Sequence, residues 1–167
     1  MANQQTMTER DMYLAAFEQE YQTTLKLLKA YPRDKGELRP APTSQTAREV
    51  AWTLVLTQGV IEPVLQGKLE PTGLPPAPAT WAEIIPAFEA AHKDALTKLW
   101  NLKDDQLNST IHMPTGPKQM GDVRRGDALW MFLHDLIHHR GQLSVYLRMT
   151  GSRVPSIYGP SGDEPWW

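Results

Sequence analysis

The chain has 167 residues, 41% of them hydrophobic and 22% charged, with a formal net charge of -2 and no cysteine. That length suits one domain, residues 1–167, with a sizeable core, and the charge balance offers no basic footprint for a phosphate backbone, so direct nucleic-acid binding is disfavoured. Without cysteine there is no disulfide, no thiolate ligand and no cysteine nucleophile, so any metal must be held by nitrogen and oxygen.

The opening "MANQQTMTERDMYLAAF" lacks the basic segment and apolar block of a secretory leader. No run approaches the ~20 apolar residues of a membrane span. A cytoplasmic protein is expected.

Hydrophobic periodicity predicts four helices. From about Thr8 to Ala30, Leu14, Phe17, Tyr21, Leu25 and Leu28 recur at helical spacing. Pro32, Gly36, Pro40 and Pro42 end that pattern. A second helix opens at Thr43 or Ser44 and runs to about Leu65, with Pro63 set to kink or shorten its end. The segment "GKLEPTGLPPAPAT" then reads as an extended connection able to cross the length of a bundle. Thr80 and Glu83 match a capping box and start a third helix through about Trp100. A polar stretch follows, read as a loop with a short hairpin around Pro114 to Pro117. The last helix spans about Val123 to Met149, and Gly151 stands where a left-handed cap belongs. The tail, residues 152–167, is irregular, yet Ile157, Tyr158, Trp166 and Trp167 predict that part of it packs down. The economical architecture is an all-α four-helix bundle with one long crossover.

The last helix carries the candidate chemistry. On a helical wheel His134, His138, Gly141 and Val145 share a stripe flanked by Trp130, Met131 and Ile137, which predicts that both imidazoles point into apolar surroundings. Phe132, Leu136, Leu143 and Tyr146, joined by His139, form a second apolar stripe. A helix apolar on two faces is buried on two faces. One face meets the other helices; the second meets the tail or another subunit, and a homodimer about a two-fold axis is preferred. Two histidines at i and i+4 can reach one ion, although the spacing alone is weakly specific and such pairs are often structural. Asp135 and Arg140 are read as solvated or interfacial ion-pair groups, and Gln142 either as a hydrogen-bond partner for the free nitrogen of His138 or as a plain polar surface contact. The tryptophans Trp52, Trp81, Trp100 and Trp130 read as core or interface anchors.

The stretch "HDLIHHRGQLSVYLRMTGSRVPSIYGPSGDE", supported by "TAREVAWTLVLTQG" and the helix order, resembles the DinB/YfiT-like family. The resemblance implies a four-helix bundle, commonly dimeric, with a divalent metal such as zinc or nickel held by three histidines, one from the second helix and an H-x-x-x-H pair from the last. The pair carries over to His134 and His138, and the remaining position falls on Thr53. Thr53 shares a helical stripe with Val50, Leu56, Val60 and Val64 and is expected to face the interior. A neutral hydroxyl is a poor donor for zinc or nickel. Glu49 or a water could fill the gap; His92 or His112 could supply the third ligand, although both read as solvent-facing; or no metal is held, the reading slightly preferred.

Two functions follow. The resemblance implies a metal-dependent hydrolase or a transferase of low-molecular-weight thiols, centred on His134 and His138. The alternative, supported by Thr53 and by the absence of any other catalytic constellation, is a non-catalytic dimeric protein that binds a small molecule or serves as a stress-related interaction module.

Overall fold

A computed structural model describes residues 7–167; the reading of the first six residues as leaderless lies outside it. Helix α1, Glu9–Ala30, starts where the Thr8 side chain accepts the Asp11 amide, and it ends before Pro32. Helix α2, Ala47–Gly59, begins later than expected because Thr46 and Glu49 complete a capping box that Thr43 and Ser44 cannot. The second predicted helix is divided. Pro63 has no amide to offer the Gly59 carbonyl, so α2 stops at Gly59 and a short α3, Ile61–Gln66, restarts with Pro63 in its first turn, where no donor is needed.

Gly67 closes α3 at φ 88°, a conformation open to glycine. The crossover leaves from there. Its first residues pair with a hairpin strand, the Leu69 amide donating to the His112 carbonyl at 2.9 Å. Further on, the Trp52 indole donates to the Pro75 carbonyl at 2.9 Å and the Arg48 guanidinium to that of Pro78 at 2.6 Å, which ties the crossover to α2. The expected Thr80–Glu83 capping box opens a short 3-10 turn that runs into α4, Ile84–Trp100. The hairpin is larger than predicted: β1, Thr110–Gly116, pairs antiparallel with β2, Gln119–Arg124, about a turn containing Lys118 at φ 57°. Because Val123 and Arg124 end β2, α5 runs Arg125–Met149, and Gly151 follows it at φ 77°.

The four long helices make a four-helix bundle, with α2 packed on both α4 and α5. Its core falls into two apolar clusters. One holds Leu28, Val50, Leu54, Phe88, Leu136 and Leu143; the other holds Tyr13, Phe17, Ile61, Leu99, Leu129 and Leu133. Between them along the helices lie the buried polar side chains Glu20, Thr24, Thr57, Gln58, His92 and Arg140.

This polar waist corrects two expectations. Arg140 is not a surface charge but the largest fully buried side chain, at 1% exposure. It forms an ion pair with Glu20, donates to Thr24 Oγ1 at 3.3 Å and to the Tyr158 hydroxyl, and the same hydroxyl donates to Glu20 Oε2 at 2.7 Å. The tail thus supplies part of the counter-network, as its tyrosine predicted. Lys26 and the Ser156 amide and hydroxyl hold Glu164 nearby and lower its carboxyl to about 2. His92, read as solvent-facing, is buried, stacked on Tyr21 with centroids 3.7 Å apart and on Phe17 at 4.9 Å. Its ring nitrogens meet Glu18 Oε2 at 2.9 Å and Gln58 Oε1 at 3.2 Å. A buried imidazole with both nitrogens partnered needs no metal.

Breaking a buried pair leaves a charge without its partner. Arg140→Ala is expected to cost about 3 kcal/mol or more in urea denaturation and to expose residues 154–164 to protease; the double change Arg140→Met with Glu20→Met should recover much of the loss. His92 gives a pH dependence. Burial pushes its imidazole below the ordinary value, the Glu18 hydrogen bond pulling the other way. As pH falls through about 6.5, the unfolded chain takes up a proton on His92 that the folded chain does not, so this stability is present above that pH and lost below it. The denaturation midpoint should fall between about pH 7.5 and about pH 5.5, and His92→Gln should flatten that slope.

Candidate functional site

The buried stripe of α5 is Leu129, Leu133, Leu136, Arg140, Leu143 and Leu147. His134 and His138 lie roughly 180° from it at 100° per residue and are exposed, as are Met131, Val145 and Met149 around them. The expected apolar burial of the two imidazoles is therefore corrected: the stripe is outward-facing, and the tail, which packs against Arg140, Arg148 and Lys26, does not cover it. His134 and His138 are still one turn apart, but among the described residues no third His, Asp or Glu joins them to hold an ion. Of the two readings of Gln142, the structure has the hydrogen bond to His138. The Gln142 amide nitrogen donates to His138 Nε2 at 3.0 Å, while its carbonyl oxygen accepts from His139 Nδ1 at 2.8 Å.

Thr53 faces a different edge of α5. Half-buried on α2, it lines a groove of about 300 Å³ with Leu56 and Val60, opposite Phe132 and Asp135. Leu69 to Leu74 of the crossover form its roof, and Pro114 of the hairpin closes one end. Asp135 has His139 one turn on, Oδ1 to Nε2 being 3.5 Å. The sequence signal for this pair is weak, since an aspartate and a histidine one turn apart are common on helix surfaces; the one pointer is that His139 shares the stripe of Phe132 and Tyr146, which borders the buried side of α5.

The other candidate ligands are engaged elsewhere. Glu49 is the N3 carboxylate of the α2 capping box: Oε2 accepts from the Thr46 amide at 2.7 Å and hydroxyl at 3.0 Å, and those bonds lower its pKa. His112 is on β1, paired with Asp122 at 2.6 Å, exposed as expected but in a strand rather than a loop. The Thr53 hydroxyl donates to the Glu49 carbonyl at 3.2 Å within its own helix. Among the described residues no three His, Asp or Glu side chains converge to hold an ion. The groove is lined by two carboxylates, Asp135 on α5 and Glu70 in the crossover, with His139 one turn from Asp135 and the neutral Thr53 hydroxyl on α2; these donors do not converge and do not fit a three-ligand zinc or nickel site.

The DinB superfamily model matches residues 16–143. This chain belongs to the DinB superfamily. It is 30% identical over 159 residues to the uncharacterized protein YrdA of Bacillus subtilis, covering 92% of this chain and 90% of that one. Among solved structures, a DinB-like protein of Bacillus cereus superposes with a TM-score of 0.70 at 25% identity, over 87% of this chain and 95% of the other. YfiT of Bacillus subtilis, described as a probable metal-dependent hydrolase with an unusual four-helix bundle topology, shares the fold at a TM-score of 0.68 and 14% identity, over 90% of this chain and 94% of that one. The matched residues run from within α1 into α5, and so take in part or all of every helix of the bundle. Among the described residues, no helix is long and apolar enough to cross a membrane.

Thr53→His would put an imidazole into the groove beside Asp135 and His139. The variant is expected to gain zinc or nickel affinity of at least about tenfold, or 1.4 kcal/mol, over the parent in titration calorimetry. Asp135→Ala should cancel the gain, and His134→Ala should leave it.

Proposed function

We infer that this DinB-superfamily protein binds a small, largely apolar molecule in the groove that Thr53 lines. The observation that carries the reading is the lining itself. Leu56, Val60, Leu69, Leu74 and Phe132 supply hydrocarbon surface, while Thr53 on α2, Asp135 on α5 and Glu70 in the crossover offer the placed polar atoms. Small-molecule sites have this composition: apolar walls for affinity and a few placed polar groups for orientation. At about 300 Å³ the groove is at the lower end of such sites, which fits a compact ligand. Asp135, with His139 beside it, is the natural partner for a donor group on that ligand.

A metal-dependent hydrolase or thiol transferase is the second reading. It is supported by the carboxylate and imidazole that Asp135 and His139 present one turn apart, by the outward pair His134 and His138 as a two-nitrogen chelate, and by the description of YfiT. It requires a further donor that Thr53 does not supply.

The test uses the neutral apolar dye N-phenyl-1-naphthylamine. Its fluorescence should rise and saturate on titration with the protein in the presence of a chelator, and Leu56→Trp, which fills the groove, should weaken binding by at least about tenfold while circular dichroism is unchanged. Binding that survives Leu56→Trp would remove the groove as the site. Binding or hydrolysis that appears only with zinc or nickel and is lost in Asp135→Ala would establish the second reading.

A further inference from the structure

A groove of about 550 Å³ lies between α1 and α4. Its floor is hydrocarbon from Leu14, Ala15 and Leu96. Asp11 and Glu18 stand at its two ends, and the Trp100 indole, 60% exposed, forms part of its wall. Asp11, Leu14, Ala15 and Glu18 share one face of α1, and the seven residues from Asp11 to Glu18 place the carboxylates two helical turns, or roughly 10 Å, apart.

Glu18 is a fixed charge. Gln22 donates to its Oε1 at 3.0 Å and the buried His92 meets its Oε2 at 2.9 Å, so the carboxylate is backed from the core and its rotamer is set. Both contacts hold its pKa below the ordinary value. Asp11 is less free, since the Arg10 guanidinium touches Oδ1 at 3.2 Å, but Arg10 also reaches away to the Leu102 carbonyl at 3.1 Å. The indole face of Trp100 adds attraction for a cation. Negative charge at each end, hydrocarbon between and an aromatic wall at one end complement a chain with a positive charge at each end.

We propose that the α1–α4 groove binds an aliphatic diamine or polyamine, its methylenes on Leu14, Ala15 and Leu96, one ammonium between Asp11 and Trp100 and the other at Glu18. The site is separate from the Thr53 groove, and the two share no lining residue.

Calorimetric titration of the full-length protein with 1,8-diaminooctane, spermidine, n-octylamine and 1,8-octanediol tests this. The diamine should bind at least about tenfold tighter than the monoamine, the diol should not bind, and added salt should weaken the diamine because the contacts are exposed charges. Trp100→Ala and Glu18→Gln should each lower diamine affinity several-fold, while Leu56→Trp should not, which separates this site from the other groove. Since Glu18→Gln also touches His92, Asp11→Asn provides a second charge variant remote from the core. Equal binding of diamine and monoamine, or binding unchanged in Trp100→Ala and Asp11→Asn, would overturn the proposal. So would a dimer in light scattering that Trp100→Ala dissociates, because the groove would then be covered by a second copy of the chain.

Discussion

A guanidinium cannot shed its proton to escape burial, so the position of Arg140 dictates much of what surrounds it. The Glu20 carboxylate must lie beside it, the Thr24 hydroxyl takes another donor, and the Tyr158 hydroxyl connects cation to anion. These groups come from α1, α5 and the tail, so one charge pairing fixes the register of the two longest helices and the path of the last residues. Apolar side chains above and below could pack in several ways; a buried ion pair with its hydrogen bonds tolerates one. His92 and Gln58 extend the same layer to α4 and α2, which gives every long helix a polar contact at mid-height.

The number and order of helices were legible because α1 and α4 have apolar positions on one side and because Thr80 with Glu83 signals a helix start without ambiguity. The interior was harder to read at α5. Its apolar residues lie on both sides, and periodicity alone does not say which side is in. Leucines at 129, 133, 136, 143 and 147 mark the core, whereas methionine, valine and histidine hold the exposed side, but a wheel scores all of these alike. Arg140 and His92 were misplaced for a related reason. Charged and titratable residues are read as surface unless a partner is known, and their partners, Glu20 and Glu18, are on a distant helix that no local pattern connects to them.

Thr53 lies in the groove with Asp135, while His134 and His138, the donors expected beside it, lie on the outward side of α5. Residues 134 and 138 and residues 135 and 139 are both one turn apart, and a rotation of 100° separates the pairs. Only packing of α5 against α2 decides which pair meets the groove. The charged residues that line it, Asp135 and Glu70, also make a different chemical wall from a set of three imidazoles: harder, more anionic and richer in hydrogen-bond acceptors.

The roof of the Thr53 groove has a separate structural origin from its walls. Thr53, Leu56 and Phe132 are held by helices whose other faces are committed to the core, so their positions change only if the bundle changes. Leu69 to Leu74 belong to the crossover, which is tied down at the hairpin end by Leu69 and at the far end through Pro75 and Pro78, with little of it buried between. Prolines at 71, 75, 76 and 78 stiffen it at small cost in ordering entropy. Replacements in this six-residue span can therefore reshape the opening over the groove while the bundle's stability stays where it is, and ligand preference in this scaffold can drift through its roof alone.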